Sequence, residues 1–462
     1  MFTRRQFLGS TAALAALPLA RTALADDAVV ALEARERSLA LLPGTTAPIW
    51  AYRDDWPLVQ RTKRDHPFRA TLTNALTEHT TIHWHGIRLR NAMDGVPYMT
   101  QPPVEPGQSF TYEFVPPDAG TFFFHPHCDT VAQLGRGLGG VLIVEDEAER
   151  GLFSSDLVCV IKDWRLKADG SFDVFSTDKG ASHGGTFGNV KTVNGRPSAA
   201  LTAPANGWVR LRVLNLDVSR IVVLALDGAE GFLIGTDGNP LLPPIPLKVW
   251  TLGPAMRIDV AFRMPQQRVR LQNVWGAQPE LLAEISAVLE NPLPATGAMP
   301  ALPASRVTEP DLPNAERLTF DLTAGHESPE LEAYLKQNPG LGPDELCLPH
   351  RTFWAINGKS WSGQDHRLKP PPLAELKLGK SYIFELFNGT PHQHPIHLHG
   401  HTFRVLRSNK GEIVPHLADT VLVAPNERVE IGFTADNPGE WMMHCHIIEH
   451  QETGMMGHVR VA

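Results

Sequence analysis

Tyr382-Ile383-Phe384-Glu385-Leu386-Phe387-Asn388 alternates along its length, ends on Asn and runs on to His397-Leu398-His399-Gly400. The same design occurs twice earlier. Phe68-Arg69-Ala70-Thr71-Leu72-Thr73-Asn74 leads to His83-Trp84-His85-Gly86, and Trp208-Val209-Arg210-Leu211-Arg212-Val213-Leu214-Asn215 leads to Ala225-Leu226-Asp227-Gly228. A downstream unit repeats as well, starting at Pro106, Pro254 and Pro425 and ending at Phe114, Phe262 and Phe433. Alternation with period two marks half-buried strands, and the 39 prolines and 38 glycines supply turns. Short strands of this kind bury one face each and stack as β-sandwiches. Three copies in 462 residues predict three domains, over residues 26–148, 149–300 and 301–462. Residues 292–313 carry six prolines and read as the connector before the third.

The N-terminus has Arg4-Arg5-Gln6-Phe7-Leu8, an apolar stretch over residues 12–20, and Ala23-Leu24-Ala25. A basic start, a short apolar middle and an A-x-A end describe a secretory signal, and the paired arginines resemble a twin-arginine one. The apolar part falls short of the ~20 residues a membrane span needs. The expectation is a periplasmic protein delivered by the twin-arginine export machinery and cleaved near Ala25. Cleavage would remove Arg4, Arg5 and Arg21 and leave the remainder more negative than the −8 of the whole chain. No basic run remains to track a phosphate backbone, so nucleic acid is not an expected partner. Cys128, Cys159, Cys347 and Cys445 are too few and too far apart for a disulfide framework, and one bridge at most is expected.

Half of the 20 histidines fall in four short segments. These are His83-Trp84-His85, His125-Pro126-His127, His394-Pro395-Ile396-His397-Leu398-His399, and His444-Cys445-His446 with His450 and Met455 behind it. Strand residues i and i+2 share a face, so each H-x-H pair presents two imidazoles side by side. In His444-Cys445-His446 the thiol points the other way, and one tripeptide reaches two metal sites. Cys445, His394, His450 and Met455 supply a thiolate, two imidazoles and a thioether, the donor set of blue copper. The middle repeat has no histidines at the matching positions, which leaves metal chemistry to the first and third.

These segments resemble the four copper-binding motifs of multicopper oxidases, the three-domain, bacterial laccase-like class, and the likeness spans the chain after the signal. The resemblance implies an all-β fold of three tandem cupredoxin-like Greek-key sandwiches and four coppers per chain. His394, Cys445, His450 and Met455 would hold the type 1 ion, and His83 with His397 the type 2 ion. His85, His125 and His446 would hold one type 3 ion, and His127, His399 and His444 the other. Cys445 would then pass electrons from a small reducing substrate towards dioxygen. Asp94 matches an acidic position that serves as a proton relay, and Gln451 stands where many relatives have glutamate.

Around these motifs, His79, His392 and His401 are expected beside the ligand set and outside it. Cys128 is expected as a buried thiol or disulfide partner, Trp84 and Trp441 as packing residues, and Met442 and Met443 as core. The ten methionines form no rich insertion, and residues 400–419 are too short for a lid over type 1 copper. An open site and a phenol or aromatic amine as reductant are therefore expected. Oxidation of cuprous or ferrous ion is the alternative, and a copper-free scaffold is disfavoured because no ligand position is empty.

Overall fold

The computed structural model describes residues 29–290, 293, 297–324, 352–361 and 369–462. The expected export segment, Cys347 and part of the 292–313 connector lie outside the described residues.

The repeats fold as strands. Along Phe68–Asn74 every second residue is buried, as the alternation requires. Phe68–Asn74, Trp208–Asn215 and Ser381–Asn388 pair antiparallel with Ser109–Phe114, Arg257–Arg263 and Arg428–Thr434. Each takes a parallel partner on its other side, Val30–Leu42, Ser155–Trp164 and Glu316–Ala324. Parallel neighbours need a crossover, here through the opposite sheet, which gives the Greek-key path. In that second sheet His83–His85 pairs with Gly120–His125, Val222–Asp227 with Val269–Asn273, and His394–Leu398 with Gly439–Cys445. Six sheets result, and they fall in pairs over residues 30–145, 155–288 and 316–461.

The terminal Asn of each repeat explains its recurrence. Asn74 Nδ2 donates to Glu78 O and Val104 O, both at 2.8 Å, while its Oδ1 accepts Leu76 N–H at 3.0 Å. Asn215 does the same with Arg220 O, Leu252 O and Asp217 N–H. Asn388 does so with His392 O, Val423 O and Thr390 N–H. A buried amide thus satisfies backbone groups where the chain leaves one sheet for the other, groups that water cannot reach. In the third domain that corner sets His392 O in place, two residues before the ligand candidate His394.

The first and third sandwiches share one apolar cluster that includes Trp84, Phe124, Ile396, Trp441 and Met443, while the middle one builds its own around Val209, Leu211 and Val260. Met442 is also buried among apolar side chains. Asn91 Nδ2 donates to Glu440 O at 2.6 Å and Asn437 Nδ2 to Leu89 O at 2.9 Å across the first–third boundary. Trp84, Trp441, Met442 and Met443 are therefore packing residues.

Candidate metal centre

Cys445 ends the strand Gly439–Cys445. Its Sγ lies 3.6 Å from His394 Nδ1 and 3.7 Å from His450 Nδ1, and those nitrogens are 3.0 Å apart. The far nitrogens are engaged. His450 Nε2–H donates to His183 O at 2.6 Å, and His394 Nε2 bonds Thr390 Oγ1 at 2.7 Å. The proton of His450 thus sits on Nε2, and its Nδ1 lone pair faces the sulfur. Burial pushes His450 down to about 3, and burial with His450 and His392 alongside pushes His394 well below the usual imidazole range. Burial pushes the Cys445 thiol up, so a thiolate here needs a cation beside it. Met455 is fully buried in the same apolar cluster, and its carbonyl accepts Cys445 N–H at 3.0 Å.

The other eight imidazoles are at most 1% exposed. His85 stacks on His397 with centroids 3.6 Å apart, and His83 on His399 at 3.8 Å. Their outward nitrogens follow one rule. Nδ1–H of His83 donates to Asp94 O, of His125 to Pro126 O, of His397 to Asp419 O and of His444 to Cys445 O, at 2.7–3.0 Å. His399 Nδ1–H donates to Asp94 Oδ2 at 2.8 Å. In all five, Nε2 is left for the interior. His85 reverses this: its Nε2–H donates to Asp419 Oδ1 at 3.0 Å, and Nδ1 turns inward.

Inside, the Nε2 atoms of His399 and His444 are 3.2 Å apart, and those of His125 and His446 are 3.4 Å apart. His83 Nε2, His85 Nδ1 and His397 Nε2 have no partner among the described residues. A stranded buried polar atom costs about 1–3 kcal/mol, so several converging at one place mark a donor set for cations. Burial, reinforced by neighbouring imidazoles, pushes His85, His125, His397 and His446 well below the usual range. Neutral imidazoles are the form that ligates metal. Donor atoms of His127, His399 and His444 lie within 4.8 Å of one another, as do those of His394, Cys445 and His450, and of His83, His397 and His399. A thiolate with imidazoles, and a second all-imidazole nest behind it, fit copper.

Family models described as multicopper oxidase match residues 33–149 and 343–462. The multicopper oxidase MmcO of Mycobacterium tuberculosis is 30% identical over 431 residues, which span 86% of this chain and 80% of that one. The chain belongs to the multicopper oxidase family. Among solved structures, the multi-copper oxidase of Pseudomonas thermotolerans is 40% identical with a TM-score of 0.84, covering 94% of this chain and 99% of that one. That of Pseudomonas parafulva is 37% identical at 0.80, covering 94% and 100%. Like these relatives, the oxidase is a copper-binding oxidoreductase built of cupredoxin-like domains.

Three expectations resolve at the rim of the site. Cys128 is a free, fully buried thiol, as are Cys159 and Cys445. His401 is buried with Nδ1–H on His399 O at 3.2 Å, and His79 offers its carbonyl to Gln133. The open type 1 edge is not found. His450 is fully buried, its Nε2 is taken by His183 O, and Trp354 lies 4.4 Å from its ring. The cover comes from the second domain, in the segment between the helix Asp178–Ala181 and the strand Val190–Val193. Glu449, next to His450, anchors that segment through Thr186 N–H and Thr186 Oγ1, and it also accepts from Ser176 Oγ ahead of the helix. No methionine-rich insertion was needed to make a lid.

Sequence reasoning also missed Asp419 and Arg257. Asp419 holds His85 by its carboxylate and His397 by its carbonyl. Arg257, fully enclosed and contributed by the middle domain, donates to Asp419 Oδ1 at 2.8 Å and Oδ2 at 2.6 Å, and to Thr121 O at 3.1 Å. It therefore ties all three domains at the metal nest. The fork holds the Asp419 carboxylate in place, and the carboxylate in turn fixes the His85 tautomer. Behind them Asp237 accepts Arg257 N–H at 2.8 Å, and burial pushes its carboxyl above the usual range. Gly86 closes the motif because its φ is +83° and a Cβ there would collide with Asp419 Oδ2. Arg257→Lys loses the fork. The expected result is roughly 10–100-fold weaker copper binding in the nest, read as copper per chain, with the blue colour of the Cys445 site kept.

Proposed function

We propose that this oxidase takes single electrons from a small metal ion, cuprous before ferrous, and reduces dioxygen to water. His394, Cys445, His450 and Met455 would hold the type 1 ion, and His83 with His397 the type 2 ion. His85, His125 and His446, and His127, His399 and His444, would hold the type 3 pair. Bound copper supplies a one-electron acceptor at the first site and the electrons for dioxygen at the second. The chain supplies the rest. Cys445 is flanked by His444 and His446, so its backbone is the covalent link between the sites. Asp94 accepts from His399 and lies 3.2 Å from His83 Nδ1, which sets it to orient both and to deliver protons. Gln451 has no proton to give. Glu449 is committed to the second-domain segment and Glu452 to Val131 N–H, so neither replaces Asp94.

The observation that favours a metal ion over a laccase-like substrate is the cover on His450. A phenol or aromatic amine would need to reach Nε2, where His183 O already sits at 2.6 Å. A steady-state comparison of cuprous ion, ferrous ion and a bulky phenol on copper-loaded enzyme tests this. Cuprous ion is expected to give the highest kcat/KM, and a phenol that exceeds both ions returns the laccase-like reading.

We also propose export by the twin-arginine route, which carries folded cargo and suits a chain loaded with metal beforehand. Arg4→Lys with Arg5→Lys should leave the oxidase in the cytoplasm on fractionation. Unchanged periplasmic activity would point to the general secretory route.

A further inference from the structure

Two imidazoles outside the proposed copper sites stand over the covered edge of His450. His183 is exposed and His392 is half-buried. Their ring centroids are 5.4 Å apart with planes 60° from each other. That spacing falls among those of the ring pairs assigned to one copper: 4.9 Å for His394 and His450, 5.2 Å for His399 and His444, 5.4 Å for His127 and His444. Both rings stand on braced loops. Asn388 Nδ2 holds His392 O at 2.6 Å, and on the other loop Trp354 Nε1 holds Ala181 O at 2.6 Å. Ser182 Oγ engages His183 Nδ1 at 3.0 Å, which leaves Nε2 as the nitrogen for a ligand.

We propose that His183 and His392 form a docking site for cuprous ion, the substrate. The site rests on the metal-ion reading above and gives it an address. Two neutral nitrogens satisfy a monovalent d¹⁰ ion, whereas zinc and the harder divalent ions ask for four or more donors, often carboxylates. The docked ion is also wired to the type 1 ligand. From the His183 ring the connection runs through the frame of that one residue to its carbonyl, then across the 2.6 Å hydrogen bond to His450 Nε2. Trp354 fills the remaining gap, 5.8 Å from the His392 ring and 4.4 Å from the His450 ring. Each cuprous ion gives up one electron and departs as cupric ion, which two ligands hold poorly. Four such ions, four protons and one dioxygen yield two waters.

Silver(I) is a redox-silent stand-in for cuprous ion, and the test is its calorimetric titration into copper-loaded enzyme. Wild type should bind one silver ion per chain at this pair. His183→Ala and His392→Gln should weaken it about ten-fold or more, and His66→Ala, an exposed histidine elsewhere, should not. The KM for cuprous ion should rise in the same two variants. His183→Ala keeps the carbonyl on His450, so the blue absorption should persist, which separates docking from a merely structural role. Equal silver affinity in wild type and both variants would overturn the site. Silver binding that depends on the pair, in an enzyme that fails to oxidise cuprous ion, would uphold the site and refute the substrate reading instead.

Discussion

Cys445→Ser should bleach the intense thiolate absorption and stop substrate oxidation, while the eight-histidine nest still takes up copper. The thiol sulfur faces the two Nδ1 atoms, at 3.6 and 3.7 Å. A serine oxygen gives neither the covalency of a thiolate nor its charge at working pH. The backbone need not move, because Cys445 N–H bonds Met455 O and the nest is held by carbonyls and by Asp94 and Asp419. The loss should therefore be local. Met455→Leu makes the contrast: an axial thioether tunes the site and does not create it, so that variant should stay blue with a raised potential. Visible spectra with copper analysis on both variants decide the matter. Persistent blue colour in Cys445→Ser would mean that the ligand assignment is wrong.

Asp94→Asn should lower turnover by roughly 10²–10⁴-fold, the usual worth of a positioned acid–base group. Its carboxylate is 1% exposed and accepts from His399, while its carbonyl accepts from His83, so one residue holds imidazoles from the third and first domains. An amide keeps the size and can still accept through its oxygen, but it cannot hand on a proton. Reduction of the Cys445 site by substrate should proceed as in wild type, and the slow step should move to reoxidation. The check is to mix fully reduced enzyme with dioxygen and follow reoxidation by stopped flow. A wild-type rate would remove Asp94 from proton delivery.

Much of this was legible because it is periodic. The repeat ending in Asn74, Asn215 and Asn388 announced three sandwiches, since the same corner must satisfy the same backbone groups each time. The H-x-H pairs showed which faces bring imidazoles together, because i and i+2 in a strand share a side. What stayed hidden comes from contacts between domains, which leave no period. Arg257 sits in the downstream repeat at the place of Ser109 and Arg428, both exposed, and nothing local says that it is buried against Asp419. The cover on His450 is a backbone carbonyl from the middle domain, and a carbonyl has no residue signature. Absence of methionines was read as absence of a lid, which treated one way of covering the site as the general case.

The central claim is that one chain holds a thiolate site and an all-histidine nest that together bind a full copper complement. Metal analysis of purified, copper-reconstituted enzyme alongside its Cys445→Ser variant tests it most directly. Four coppers per wild-type chain are expected, with the variant losing the one beside Cys445 and its blue band together. A wild-type chain that saturates at a single blue copper would contradict it, because the eight buried imidazoles would then have no metal to hold.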